Sequence, residues 1–426
     1  MVTSDPWPAP RAVAPLDATV RVPGSKSITN RALVLAAVAE SPTSIRHPLV
    51  SRDTELMVGA LRALGVDVTD GPDGWRVNPG RLRGPAHVDA GLAGTVMRFA
   101  LPLAALASGP VTFDGDPRAR ERPLRPLLEA LRELGADVDD EGRGVLPVTI
   151  HGTGGLRGGD VSIDASASSQ LLSALLITAP RYDEGVHVRH TGGRLPSAPF
   201  IDLTVAMLRD RGASVFVDDS GWKVAPGPVA GGEIVVEPDL SSAAPFLAAA
   251  LVAGGSVRVA GWPAESLQAG TATPAVLARM GAECRRAGDA LVVTGTGRVD
   301  GVDIDLADNP ELVCVLAAVA AVAQSPSRLT GIGHMRGHET DRLAALAREL
   351  TALGADVVEH DDALEIAPAE LHGGVFHTYD DHRLAMAGAV LGLVVPGVLV
   401  ENVATTGKTY PGFARDWQAM VDGDAS

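Results

Sequence analysis

Six stretches of the chain read as helices that are apolar on every side, and each follows directly on a short polar motif. PGSKSITNR (Pro23 to Arg31) precedes ALVLAAVAE, and GLAGTVMR (Gly91 to Arg98) precedes FALPLAALA. SASSQ (Ser166 to Gln170), PDLSSA (Pro238 to Ala243), ADNPE (Ala307 to Glu311) and YDDHR (Tyr379 to Arg383) open the other four. With Ser25, Ala93, Ser166, Asp239, Asp308 and Asp380 as markers, the motifs recur every 68 to 73 residues. A second rhythm runs in step with the first. Amphipathic segments end at Gly65, Gly135, Gly212, Gly281 and Gly354, spaced 69 to 77 residues apart, each followed by a strand-like pair such as DV, SV or EC. Glycine just past a helix end is the expected left-handed cap. The β-branched residues after it open strands, and SVFVDDSGWKV and DVVEHDDALEI continue into hairpins.

Each unit of about 70 residues therefore holds one helix apolar all round, one amphipathic helix and several short strands. A helix without a polar face must be buried. Six of them predict two bundles of three, wrapped by amphipathic helices and sheet. The repeat is a small supersecondary domain, longer than the units of a solenoid. The Pro- and Gly-rich stretch PGPVAGGE (Pro226 to Glu233) is the predicted boundary, dividing the units three and three. ATVRV (Ala18 to Val22) is a strand ahead of the first unit, and by pattern alone it could join either half.

Composition narrows the function. The chain has 426 residues, is 46% hydrophobic and carries a formal net charge of −16. That charge argues against nucleic-acid or anionic-membrane surfaces, and 4% aromatic residues leave few stacking platforms. The longest aliphatic runs, Val313 to Ala323 and Ala385 to Val398, fall short of the ~18 residues of a spanning helix. Met1 to Pro15 has four prolines and no apolar core, so it reads as a loose tail and not a secretory signal. Cys284 and Cys314 form no CxxC pair. The expectation is a cytoplasmic, reduced protein.

The polar motifs carry the chemistry. A helix N-terminus offers unpaired N–H groups and partial positive charge, so it attracts anions. Lys26, Arg31, Arg98 and Arg383 add formal charge to such ends, and the chain has only three lysines, Lys26, Lys223 and Lys408. Simple capping accounts for Ser, Asp and Asn there but not for cations, which belong at the opposite helix end. The pattern suits one or two small phosphorylated or carboxylated ligands. Further ionic clusters lie at Asp114 to Pro123, Arg336 to Leu343 and Gly407 to Pro411. GKT at Gly407 lacks the earlier glycine of a phosphate-binding loop, since Asn402 stands there. His334 and His338 form no HExxH, no set of metal ligands is complete, and no GxSxG elbow exists.

PGSKSxxNR, LAGTxxR, ERP, SxSSQ, ETDR, DHR and KT-P occur in one order along nearly the whole chain after the tail. In this the sequence resembles the enolpyruvyl transferase family, specifically the 5-enolpyruvylshikimate-3-phosphate synthases. The resemblance implies an α/β fold of two inside-out domains. Each has three βαβαββ repeat units whose buried helices point their N-termini at the interdomain cleft. It implies domains of residues 1–24 with 239–426 and of residues 25–238, the N-terminal strand joining the second half. It implies transfer of the carboxyvinyl group of phosphoenolpyruvate to the 5-hydroxyl of shikimate 3-phosphate, with release of phosphate. No metal or organic cofactor is implied, and the partners are these two anionic substrates, bound by a monomer whose domains close on them.

Carried over motif by motif, Lys26, Ser27, Arg31, Ser168, Ser169, Ser197, Glu311 and His338 would bind shikimate 3-phosphate. Lys26, Gly94, Arg122, Gln170, Arg342, Asp381, Arg383 and Lys408 would bind phosphoenolpyruvate. The catalytic set would be Lys26, Glu339 as proton donor to the vinyl carbon, and Glu311 as acceptor of the hydroxyl proton, with Asp308 as the alternative acceptor. The chain departs from the family pattern at His338 (often Lys), His334 (often Asn), Phe200 (often Tyr) and Leu92 (often Asn). His338 would make affinity depend on pH near neutrality. Two rivals stand beside this reading. The sister transferase acting on UDP-N-acetylglucosamine usually carries a cysteine in the basic loop, which is absent between Asp114 and Pro123. A non-catalytic anion-binding protein would not need Glu311 and Glu339.

Overall fold

The computed structural model describes residues 6–423. The chain separates into two compact units, Gly24–Glu237 and a second made of the N-terminal segment through Pro23 with the chain from Pro238 on. Among the described residues the first unit holds helices α1 (Lys26–Val38), α2 (Arg52–Ala63), α3 (Gly94–Ala105), α4 (Arg125–Glu133), α5 (Ser169–Thr178) and α6 (Pro199–Asp210). The second holds α7 (Leu240–Ala253), α8 (Thr273–Arg279), α9 (Val313–Ala321), α10 (Arg342–Ala352), α11 (His382–Gly392) and α12 (Phe413–Asp422).

The six apolar helices are α1, α3, α5, α7, α9 and α11, and they form two bundles of three. Helices α1, α3 and α5 pack on one another in the first unit, and α7, α9 and α11 do so in the second. Every residue of α3, α9 and α11 is buried. Such surfaces fold only by leaving water, at roughly 1.5–3 kcal/mol for each large apolar side chain. The other six helices alternate with these along the chain, and those long enough to show a pattern bury one stripe, as α4 does with Leu127, Leu128 and Leu131. Gly65, Gly135, Gly212, Gly281 and Gly354 all have positive φ at the ends of such helices, as the rhythm of the sequence predicts.

One sheet pattern recurs among the described residues: in five sheets a parallel pair of strands is completed by an antiparallel hairpin, and a sixth sheet has three strands. Ala86–Asp89 runs parallel to Ser108–Asp114, which pairs antiparallel with Val148–Thr153, and that with Asp137–Asp139. Two sheets are completed by distant segments. Leu16–Val20 precedes α1 in sequence but pairs with Gly255–Val259 of the second unit. Gly232–Val235 precedes α7 but pairs with Thr43–Arg46 of the first. The chain thus exchanges one strand each way. The stretch Pro226 to Glu233 is consequently not a linker, because Gly232 and Glu233 already lie in an edge strand of the first unit. The passage between units comes at Glu237 and Pro238.

The N-terminal segment is a second correction. Met1–Asp5 lies outside the described residues, but Trp7–Pro8 pairs antiparallel with Val398–Val400, where the sixth sheet would otherwise lack its third strand. The Ala9 and Ala12 N–H groups donate to the carbonyls of Val398 and Leu393. A Pro-rich stretch suits this place, since an edge strand tolerates a residue without an N–H. No helix among the described residues is long and apolar enough to cross a membrane.

Candidate active site

None of the six apolar helices has an acidic residue in its first turn, although acids favour that position. Cations stand there instead in α1, with Lys26, and in α11, with Arg383. In the first unit, Lys26 is the first residue of α1, and its Nζ lies 3.4 Å from the buried carboxylate of Asp53 at the start of α2. Asp53 carries no signal in the sequence, because an acid in the first turn of an amphipathic helix reads as ordinary dipole compensation.

Gly94 opens α3 against two guanidinium groups. A Cβ there would lie 2.9 Å from Arg98 Nη1 and 3.1 Å from both terminal nitrogens of Arg122. Only glycine lets the backbone N-terminus and both arginines share this space. Arg98 Nη1 donates to Gln170 Oε1 at 2.8 Å, so the first turns of α3 and α5 are joined there. Arg122 is 5% exposed, donates only a long 3.4 Å bond to the Leu92 carbonyl, and has a buried Nε with no partner among the described residues. A buried guanidinium left this short of acceptors is costly unless an anion supplies them. The rest of its loop is structural: Arg120 pairs with Asp114, Arg118 with Glu121, and Arg52 reaches Asp116.

Ser168 caps α5, its Oγ accepting from the Gln170 N–H at 3.3 Å. Ser169 is buried beside it. Ser197 is buried with φ of 56°, a left-handed conformation uncommon for a residue with a Cβ and frequent at functional sites. Ser27 is half-buried on α1, and its carbonyl accepts from Arg31. Arg31 itself is 1% exposed. Its Nε donates to Thr204 Oγ1 at 2.7 Å and its Nη2 to the Phe200 carbonyl at 3.0 Å. Its Cζ lies 5.1 Å from the Phe99 ring centroid and 5.7 Å from that of Phe200. Arg31 therefore ties α1 to α6 through Thr204 and Phe200.

In the second unit a chain of buried ion pairs links three segments. Lys408, at the end of the turn Val403–Lys408, donates to Glu339 Oε1 at 2.7 Å. Arg342, the first residue of α10, donates to Glu339 Oε2 at 3.2 Å and to both Asp381 oxygens at 2.7 and 3.1 Å. Asp381 caps α11 by accepting from the Arg383 N–H at 2.8 Å. Burial opposes the charge on Arg342, but the facing Asp381 and Glu339 carboxylates outweigh it and hold its pKa above the usual arginine value. Beneath the cluster, burial pushes the Cys314 thiol up to about 12, so it is no nucleophile.

Arg383 is placed by a proline. Pro245 lies inside α7 and has no N–H to give the carbonyl of Ser241 one turn back. Arg383 Nη1 donates to that carbonyl at 2.9 Å. Glu311 sits in the turn Pro310–Leu312 that leads straight into α9, with Asp308 three residues earlier. His338 Nδ1 lies 3.8 Å from Glu339 Oε2, and the rings of His334 and His338 meet edge to face at 6.0 Å. Arg336 of the same stretch is structural, held by Asp341 and Glu359.

Within the first unit the structure thus brings Gly94, Arg98, Arg122 and Gln170 together. Within the second it gathers His338, Glu339, Arg342, Asp381, Arg383 and Lys408. No group of three or more His, Cys, Asp or Glu able to hold a metal occurs among the described residues.

Comparison with known proteins bears on the family. The sequence profile of EPSP synthase (3-phosphoshikimate 1-carboxyvinyltransferase) matches residues 10–417. The 3-phosphoshikimate 1-carboxyvinyltransferase of Kocuria rhizophila is 52% identical over 430 aligned positions, covering 98% of this chain and 97% of that one. An EPSP synthase structure from Acinetobacter baumannii superposes with a TM-score of 0.78 at 25% identity, covering 98% and 97% of the two chains. The enolpyruvyl transferase NikO of Streptomyces tendae shares the fold, with a TM-score of 0.77 at 19% identity over 96% of each chain. With seven motifs in order, six repeats and a match that spans both units, the chain belongs to the EPSP synthase family.

Proposed function

We propose that the chain transfers the carboxyvinyl group of phosphoenolpyruvate to the 5-hydroxyl of shikimate 3-phosphate and releases phosphate. The observation that carries this reading is Arg122, a buried guanidinium short of acceptors, set with Arg98 against the bare backbone of Gly94. That arrangement calls for a small anion brought close to a helix N-terminus. Family membership names the anion.

In this reading Lys26, Gly94, Arg122, Gln170, Arg342, Arg383 and Lys408 hold phosphoenolpyruvate, and Asp381 orients the two arginines beside it. Lys26, Ser27, Arg31, Ser168, Ser169, Ser197, Glu311 and His338 serve shikimate 3-phosphate. The acceptor oxygen bonds to C2 of phosphoenolpyruvate while its proton passes to Glu311. Glu339 delivers a proton to C3, turning the methylene into a methyl group. The tetrahedral adduct then loses phosphate by breaking its C–O bond, the departing phosphate taking up the proton held by Glu311, and a methyl proton returns to Glu339 to restore the vinyl group. Lys408 and Arg342 fix the position of Glu339, at 2.7 and 3.2 Å, beside the cations that meet the substrate's charge. The step uses proton transfer and fixed charge alone, so no metal or organic cofactor takes part. The reading takes the protein as a monomer of the cytoplasm, a compartment that two free cysteines fit.

The test is phosphate release from phosphoenolpyruvate with each acceptor in turn. Release with shikimate 3-phosphate and not with UDP-N-acetylglucosamine is expected. The reverse pattern moves the chain to the sister activity, and release with neither makes it a non-catalytic anion binder.

A further inference from the structure

Helix α10 touches the segment before α11 at two points, two turns apart on one face. At the first turn Arg342 grips Asp381. Seven residues on, Glu349 is 2% exposed and accepts three hydrogen bonds from that same segment. They come from the His377 N–H at 2.9 Å, from His377 Nδ1 at 2.9 Å and from the Tyr379 hydroxyl at 2.5 Å. Between the two grips the backbone turns through Tyr379 and Asp380, with φ of 51° and 55°. Two successive left-handed residues with side chains are unfavourable, and a bulky aromatic is among the worst occupants of that region. The turn persists only where its surroundings fix it. Further bonds close it from the other side: Thr405 Oγ1 donates to the Asp380 carbonyl at 2.7 Å and Asn402 Nδ2 to the Asp380 carboxylate at 2.9 Å. Arg348 lies over the outer face of the Tyr379 ring at 5.9 Å. The very next residue is Asp381, which caps α11 and pairs with Arg342.

We propose that Glu349 and Tyr379 are positioning residues for the anion-binding arginines. The buried Glu349 carboxylate holds the Tyr379 hydroxyl, keeps the left-handed turn, and so delivers Asp381 to Arg342 and to the N–H of Arg383. Neither residue touches the substrates. Their effect reaches phosphoenolpyruvate only through Arg342 and Arg383, so it falls on one substrate and not on the other. The part concerning phosphoenolpyruvate rests on the function proposed above.

Two variants test it, Tyr379→Phe, which removes only the hydroxyl, and Glu349→Gln, which keeps the shape but places an amide against N–H donors. Steady-state kinetics are expected to give a KM for phosphoenolpyruvate raised about tenfold, with the KM for shikimate 3-phosphate unchanged within about twofold, as loss of one charge-assisted hydrogen bond predicts. Hydrogen exchange at Arg342 Nε, followed by NMR without substrate, is expected to quicken about tenfold or more. Tyr379→Phe carries the test if Glu349→Gln does not fold. Wild-type protein that releases no phosphate, with exchange still quickened in the variants, removes the functional reading and leaves the clamp standing. Unchanged exchange in Tyr379→Phe overturns the clamp, as does an equal rise in both KM values.

Discussion

The guanidinium of Arg342 meets the carboxylate of Asp381 through two nitrogens, at 2.7 and 3.1 Å, with the two side chains 3% and 0% exposed. A buried pair of this kind stabilises little relative to an apolar pair, but breaking it leaves a charge without compensation. Asp381→Ala is therefore expected to lose roughly 3–5 kcal/mol of stability. It should also lower kcat/KM for phosphoenolpyruvate by about 100-fold or more, because Arg342 and the α11 N-terminus lose their common anchor. Thermal unfolding and steady-state kinetics on the same preparation check both effects.

Gly94→Ala isolates the close approach of backbone and arginines. Its methyl would stand 2.9 Å from Arg98 Nη1 and 3.1 Å from Arg122, contacts that the far ends of flexible side chains can relieve by moving. The fold should survive, with thermal unfolding close to wild type. The displaced guanidinium groups should raise the KM for phosphoenolpyruvate about tenfold or more, since each lost charge-assisted bond costs roughly 1.5–3 kcal/mol.

Pro245→Ala asks whether a missing backbone donor sets Arg383. Alanine supplies an N–H that competes for the Ser241 carbonyl now held by Arg383. Helix α7 gains a hydrogen bond, so stability should hold or rise. The KM for phosphoenolpyruvate should rise about three- to tenfold, a cost of roughly one neutral hydrogen bond. A rise in stability with a loss of affinity is the signature to look for.

Asp140 gives a pH-dependent prediction away from the site. Burial alone would raise its carboxyl, but the N–H groups of Gly144 and Gly142 and the Arg132 guanidinium together hold it below the usual carboxylate range. A carboxylate depressed in the folded state contributes stability above its unfolded pKa, about 3.9, and loses it as pH falls through the folded value. Asp140→Asn should thus cost roughly 1.5–3 kcal/mol at pH 7, and the gap from wild type should close below about pH 4. Urea unfolding at both pH values measures it.

The repeat was legible because its physics is local. A helix apolar all round and a glycine past a helix end are written in consecutive residues, so the six units and their caps follow from α1, α3 and Gly65 onward. The strand exchange was not legible in the pattern itself, and only the family resemblance implied that the N-terminal strand joins the second half. Leu16–Val20 and Gly232–Val235 look alike as strands, and which sheet each joins depends on partners more than 180 residues away. Trp7–Pro8 looked like tail because a two-residue edge strand has no period to read. In the site, cations at helix starts stood out against the charge preference of those positions. The carboxylates that support them did not, since Asp53, which meets Lys26, and Glu349, which holds the segment before α11, sit on amphipathic helices where acids are ordinary. Arg31 and Arg122 carry the same side chain in equally suggestive motifs. Only packing separates the guanidinium anchored in protein from the one left short of acceptors.

The most direct measurement follows one oxygen atom. Phosphoenolpyruvate labelled with 18O at the bridge between C2 and phosphorus, turned over with shikimate 3-phosphate, reports which bond breaks. Carboxyvinyl transfer cleaves carbon from oxygen, so the label should leave in inorganic phosphate, with a vinyl ether of shikimate 3-phosphate formed in equal amount. Label retained in pyruvate, or in any other carbon product, would mean phosphorus–oxygen cleavage and would contradict the account.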